Sequence, residues 1–505
     1  MTNAPTAGGT ATRSLAQITF ALVGFLFLLE LTSGIIQGYY IPLISDLVVH
    51  LGVTDADFNW FEAAQLLLSA LAVPILAKLG DMFGHKRMLL VSTALTAGAS
   101  WWLVVSGDFT TFLIAWALQG FYSVWLPLEV ALIFDRGRRS KTGVSQTRRA
   151  AGLLVVALEV GAIVGALGGG AVFTAAGGDV ALTLAIPAIV VTAVFFAILF
   201  GVPESERTTG RSLDFFGFVL LSFALLLTTS SLTFLRINGP GTWWVWVVMA
   251  AGLLAFIPFA RWVLGKDDPA IDLRVLARPT MWPVQVTAGL FGISVLGAQI
   301  PLSTFAGTDP EVAGYGLGLS SGMRSIVIGI YLISLIAGAA LFAVFSKRLS
   351  PRLALIGATA LVTIGYFALI FFHDDLTQVL VCICIAGAGS GALVAALPAA
   401  AAAAAPLGQT GIATGLTNTT KTIGGAFASA TFGIALATGV TAGVGTAASL
   451  SGYYTVWIVC GASALVATVL LFFVPKLAFA DPVDVDGDGD QEGYFAETAD
   501  TAPAK

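Results

Sequence analysis

Four acidic residues stand where an acid is costly. Glu30, Glu62, Glu129 and Glu159 each interrupt an apolar run long enough to cross a bilayer. Placing a charged side chain in hydrocarbon costs about 2.5–3.5 kcal/mol on insertion scales, so each needs a reason. A carboxyl that gains and loses a proton as its surroundings change is one such reason, and reversible protonation is the chemistry these residues suggest. Glu30 lies near the middle of the first run, with Ser33, Gln37 and Tyr40 on its helical face. Glu62 lies toward one end of the second run, with Gln65 and Ser69 on its face. Glu129 shares the fourth run with Gln119 and Tyr122, and Glu159 sits in a glycine-rich fifth run. A base answers them in the second half. Lys421 lies about ten residues into its run, a long reach for snorkelling, with Thr414, Thr417 and Asn418 along one face. The proton-coupling candidates are therefore Glu30, Glu159, Glu129 and Glu62. The cavity candidates are Ser33, Gln37, Tyr40, Gln65, Gln119, Tyr122, Asn418 and Lys421. A structural hydrogen bond is the competing role for each acid.

Other chemistry finds little support. Cys382, Cys384 and Cys460 lie in apolar runs and read as small core residues rather than a disulfide framework or metal site. His50, His85 and His373 fall at run ends, away from any relay. There is no nucleotide loop, nucleophile motif or metal-ligand spacing, which argues against an enzyme. Long extramembrane loops that a scaffold would use are missing too. In the tail, Asp484, Asp486, Asp488 and Gly489 match the start of a calcium-binding loop, but Phe495 occupies the position that needs a bidentate Glu.

The elements that carry these residues are membrane helices. The 505 residues are 57% hydrophobic and only 10% charged, with mean hydropathy +0.91; soluble domains carry about 25% charged residues. A bilayer-crossing helix needs about 20 apolar residues. About fourteen such runs fill the chain, near 17–44, 59–79, 88–106, 110–134, 150–175, 180–201, 214–236, 243–264, 280–305, 319–345, 353–373, 377–400, 412–439 and 453–474. If the polar segment 80–87 is cytoplasmic, 21 of the 24 Lys and Arg lie in or beside cytoplasmic segments. Arg236, Arg324 and Lys421 are the other three. Acids such as Asp46, Asp55, Asp57, Asp108, Asp309 and Glu311 fall on the opposite side, a positive-inside pattern with both termini in the cytoplasm. The net charge of −5 belongs to the C-terminal tail, which from Lys476 onward sums to −6, leaving +1 for the rest. That tail is polar and Gly-rich, the composition of a disordered segment.

The segment at 80–87, Gly80, Asp81, Gly84, His85, Lys86 and Arg87, carries a resemblance. It is similar to the loop between helices 2 and 3 of the major facilitator superfamily, with His85 where arginine is usual. Further matches point to the fourteen-helix drug:proton antiporter branch. GAIVGALGGG resembles its glycine motif: Gly161, Gly165, Gly168 and Gly169 match, and Ala166 replaces the proline. Small residues at this spacing form a close-packed helix seam. Gln119, Gly120 and Pro127 match a second motif, but Trp116 replaces the arginine that the family associates with proton coupling. A faint repeat relates the halves. Gly152 and Gly161 align with Gly415 and Gly424, and 84–90 aligns with 349–355, at spacings of 263 and 265.

The resemblance implies an all-α polytopic membrane protein with two six-helix bundles plus two extra helices. The expected division is a cytoplasmic tail 1–16, a first bundle 17–201, an extra pair with linkers 202–279, a second bundle 280–475 and an acidic tail 476–505. The expected activity is proton-coupled export of small amphipathic or lipophilic compounds across the plasma membrane by alternating access. The partners would be a small-molecule substrate and the lipid bilayer, with no nucleic acid, no cofactor beyond the proton gradient, and a monomeric state. The segment 80–87 would act as a gate. Symport or uniport of a lipid, sugar or other metabolite is the alternative.

Overall fold

The computed structural model describes residues 20–137, 143–204, 213–269, 271–279, 281–345, 351–404, 410–438 and 447–473. All regular structure among them is helical. Thirteen spans are long and apolar enough to cross a membrane. In chain order they are α1 Leu22–Leu51, α2 Asp55–Phe83, α3 His85–Val105, α4 Phe109–Ile133, α5 Gly152–Ala175, α6 Val180–Gly201, α7 Phe215–Asn238, α8 Trp243–Leu264, α9 Trp282–Gly307, α10 Ser321–Phe342, α11 Arg352–Phe371, α12 Leu376–Pro398 and, after one more helix, α14 Leu450–Phe473. The helix between, α13, spans Thr410–Ala437. At 28 residues it is also long enough to cross, but it carries Thr417, Asn418, Thr419, Thr420 and Lys421 in sequence. The tails and the calcium-loop pattern lie outside the described residues.

The buried apolar side chains fall mainly into two clusters, one drawn largely from α1–α6 and one largely from α9–α14. These are the two bundles. The pair α7–α8 packs against α2 and α13 through a third cluster that includes Leu221, Leu225, Phe259, Val263, Leu67 and Leu416. Across the bundles α2 lies along α13, and α5 lies along α10.

Local sequence explains the helix ends that matter. Thr54 and Asp57 form a reciprocal capping box at the start of α2, and Asp108 accepts from the Thr110 and Thr111 N–H groups at the start of α4. The Thr111 hydroxyl and these backbone donors hold the Asp108 carboxyl below the usual carboxylate range. Within α4 the helix tightens to a 3-10 turn at Gly120–Val124. Pro127 follows, and a proline removes one backbone donor from the preceding turn. Gly120 is needed there, because a Cβ would lie 2.6 Å from the Gln65 carbonyl oxygen.

Candidate functional site

The glycine seam sets the first wall. α1 packs most extensively on α5. A Cβ on Gly161 or Gly165 would collide with the backbone carbonyl of Leu31 or Ile35, and one on Gly169 with that of Tyr39. Gly34 and Gly38 of α1 meet Leu158 and Ala162 in return. Gly168 does not join this contact, since a Cβ there would meet nothing within 4 Å. The seam lets α1 sit backbone-to-backbone on α5 while Glu30 comes near Glu129 and Tyr122 of α4.

Glu30 is 1% exposed and Glu129 is fully buried; among the described residues neither Glu129 oxygen has a hydrogen-bond partner, and Glu30 has only the Ser33 hydroxyl of its own helix near it, beyond close bonding distance. The two acids sense one another electrostatically. Tyr122 stands beside Glu30, Glu62 and Tyr40. No base among the described residues answers this group. The surrounding polar residues are mutually bonded. Gln119 donates to the Tyr40 hydroxyl at 2.8 Å and to Ser100 Oγ at 3.0 Å. Gln65 donates to the Trp116 carbonyl at 3.2 Å, and Ser69 to the Gly120 carbonyl at 2.9 Å. Gln37, on the exposed side of α1, donates to Ser33 Oγ at 3.2 Å. Glu62 is half-buried with Trp116 as neighbour. Trp116 packs its ring against Tyr40, Phe58 and Phe112 at 5.1, 5.3 and 5.6 Å, so an aromatic cluster fills the place of the expected arginine.

A second polar group lies between the bundles. Glu159 of α5 and Lys421 of α13 interact electrostatically without closing to an ion pair. Tyr331 of α10 is a further neighbour of Glu159. Asn418 lies one turn before Lys421, half-buried. Sequence inspection missed Gln285 of α9, which donates to Thr417 Oγ1 and accepts from Thr420 Oγ1, both at 3.0 Å. A lone amide in an apolar run was the available signal.

The segment 80–87 is not a loop but a one-residue junction. Gly80 and Asp81 belong to the last turn of α2, and His85, Lys86 and Arg87 open α3. Gly84 alone joins them, at φ 107°, a conformation that glycine supplies without strain. A Cβ at Gly84 would also press on the Glu204 carboxyl. His85 Nε2 lies 3.2 Å from Asp81 Oδ1. Glu204, after α6, accepts from the Lys86 backbone N–H at 3.1 Å and pairs with Arg87 at 3.5 Å. One turn earlier, Lys78 is 7% exposed and reaches Asp268 Oδ1 and the carbonyls of Asp268 and Pro269, each at 3.1 Å. Glu204, Lys78 and Asp268 were not apparent as partners from sequence, because the residues they pair with lie 117 to 190 positions away.

Comparison with known proteins fits this architecture. The family profile described as Major Facilitator Superfamily matches residues 26–429. An uncharacterized MFS-type transporter of Mycobacterium tuberculosis is 25% identical over 357 residues, covering 66% of this chain and 48% of that protein. The chain thus spans about half the length of that relative. The tetracenomycin C resistance and export protein of Streptomyces glaucescens is 22% identical over 400 residues, covering 76% of this chain and 70% of that protein. Among solved structures, a peptide transporter POT in complex with sulfate superposes with TM-score 0.65 at 16% identity, covering 93% of this chain and 99% of its own. The nucleoside transporter NupG does so with TM-score 0.59 at 13% identity, covering 90% and 99%. These two likenesses concern the fold alone.

Proposed function

This chain belongs to the major facilitator superfamily, and from that membership we propose that it is a proton-coupled exporter of small amphipathic or lipophilic compounds. It is a multi-pass membrane transporter rather than an enzyme. The carrying observation is a pair of buried carboxyls: among the described residues neither Glu129 oxygen has a hydrogen-bond partner, Glu30 has only the Ser33 hydroxyl of its own helix near it, and no cation stands beside either. A structural acid would be bonded; buried polar groups in folded proteins nearly always are. An acid left unbonded in an apolar bundle is stable when it carries its proton and is poised to release it when water or a cationic group arrives. Glu159, facing Lys421 between the bundles, is the second proton-exchanging site. Ser33, Gln37, Tyr40, Gln65, Gln119, Tyr122 and Asn418 line the path between them.

Export of lipophilic compounds draws support from the relative named for tetracenomycin C resistance and export. The same reading places the protein in the plasma membrane as a monomer, with both termini cytoplasmic and the fourteen-helix antiporter branch as its kin. Domain boundaries at 17–201, 202–279 and 280–475 follow from it. No cofactor is required beyond the proton gradient. A second reading, metabolite transport by symport or uniport, is favoured by Trp116 and Ala166 standing where that branch carries arginine and proline.

The test is transport into proteoliposomes with an imposed pH gradient, screened with lipophilic fluorescent compounds and with sugars and nucleosides. Proton flux that depends on a lipophilic compound supports the proposal. Flux with metabolites only, or substrate movement indifferent to the gradient, favours the second reading.

A further inference from the structure

Among the described residues, several polar contacts join the two bundles near the 41–57 end of the molecule, including one from the Ala448 backbone to the Asp55 carboxyl and four others. Ser303 of α9 donates to the Ile41 carbonyl. The Gly170 N–H of α5 donates to Ser325 Oγ at 3.0 Å, and Ser429 of α13 donates to the Asn59 carbonyl at 3.0 Å. The fourth is an ion pair between Arg324 of α10 and Asp46 of α1. Arg324 is 3% exposed and its Nε finds no partner. Its guanidinium is boxed in, because a Cβ on Gly307 would strike both Nη1 and Ser45. Asp55, 5% exposed at the start of α2, is a second acid within the guanidinium's electrostatic reach and has no ion pair of its own among the described residues.

We propose that Arg324, Asp46 and Asp55 form the gate at this end, held shut by the two carboxylates and released when they take up protons from the solution outside. The inference rests on the proton-coupled reading and on the orientation proposed with it. Both carboxylates belong to the first bundle and the guanidinium to the second, so their attraction acts directly across the seam that must part. Protonation would leave a guanidinium buried without counter-charge. Removing one member of a buried pair is strongly destabilising because it leaves the other charge uncompensated. Parting the bundles returns that charge to water, so the closed state becomes the less favourable one. Protons can arrive through Asp46, whose side chain is 27% exposed.

The neighbouring charged groups do not substitute for this gate. Asp57 is engaged by Arg236, which also lies over the Trp60 ring at 5.7 Å. His50, Asp309 and Glu311 are exposed. Burial pushes the Tyr315 hydroxyl up to about 12, so it stays neutral. The Tyr453 hydroxyl is bonded to Thr304 at 2.8 Å.

Hydrogen–deuterium exchange of the full chain in lipid nanodiscs tests the gate. Peptides from 41–51 and 321–330 are compared with an internal reference at 354–369, after correction for intrinsic exchange. Lowering the pH should speed exchange at both gate segments at least tenfold in the unaltered protein and leave the reference unchanged. Arg324→Gln, and the Asp46→Asn, Asp55→Asn double variant, should exchange fast at every pH. Arg324→Lys, which keeps the charge, should restore protection. Slow, unaltered exchange in Arg324→Gln, or a pH response that survives in the double variant, would overturn the proposal. Proton flux in liposomes separates the two readings. A responsive gate without coupled flux would keep the gate and remove the proton-coupled exporter. Coupled flux past an unresponsive gate would do the reverse.

Discussion

At the scale of single residues, buried charge is the most informative signal. Glu30 and Glu129 carry the functional proposal because they are buried without a strong partner, whereas Gln119, Gln65 and Ser69 are engaged in close hydrogen bonds to neighbouring helices. Substituting Glu30→Gln keeps shape and polarity but fixes a neutral state. Substrate binding should survive, while transport driven by a pH gradient should fall at least tenfold in proteoliposomes. Near-normal gradient-driven transport by a Glu30→Gln, Glu159→Gln double variant would remove both acids from the mechanism. Glu159 invites a second test, because Lys421 interacts with it across the bundles. Glu159→Gln should lower the melting temperature by stranding the ammonium, and adding Lys421→Gln should recover it. A coupling of about 1 kcal/mol is the size expected for neighbouring groups, and strictly additive losses would mean that the two do not act on one another. The importance of the acids was legible in the sequence because hydrocarbon makes every charge conspicuous. Which acids lack partners was not, since that depends on how α4 turns at its 3-10 break.

At the scale of elements, the seam and the junction behave differently. Glycine spacing in α5 was visible in the sequence, yet only the packing distinguishes Gly161, Gly165 and Gly169, which touch α1, from Gly168, which does not. Gly161→Leu or Gly165→Leu would force two backbones apart. The cost should exceed the roughly 1–3 kcal/mol of ordinary overpacking, and thermal unfolding in detergent should register it. Gly168→Ala should leave the melting temperature unchanged; a loss there equal to that of Gly165→Leu would contradict the seam. The junction at Gly84 is a matter of rates. Asp81, His85, Arg87 and Glu204 make polar contacts at the helix ends around Gly84. Asp81→Asn and Arg87→Ala should therefore slow transport while leaving the protein folded and inserted, since the lost contacts bias one state of the transporter over another. Unchanged rates in both would remove this segment from gating. Sequence inspection anticipated a loop here; the chain needs only one residue because glycine at positive φ turns it sharply.

At the scale of the whole molecule, hydropathy was nearly sufficient for the fold. Apolar runs separated by polar punctuation leave few choices in a bilayer, where every backbone group must be bonded within its own helix. What hydropathy underplays is α13, whose Thr417–Lys421 stretch is polar because it faces Gln285 and the space near Glu159 rather than lipid. Cross-bundle pairs such as Arg324 with Asp46 were equally hidden, being 278 residues apart. Orientation is the remaining whole-molecule property, and it has a direct test. The basic residues gather at one end, with Lys78, Lys86, Arg87, Lys266 and Arg274, and the acids Asp46, Asp57, Asp309 and Glu311 gather at the other. The positive-inside rule then predicts that the 80–87 end lies in the cytoplasm. Asp267 and Glu311 are exposed residues at opposite ends. Cysteine at position 311 should react with a membrane-impermeant thiol reagent in intact cells, and cysteine at position 267 should react only after the membrane is permeabilised. The native cysteines lie within α12 and α14, two of them buried, so background labelling should be low. The opposite pattern would invert the molecule and put the Arg324 gate on the cytoplasmic side, where external protons could not reach it.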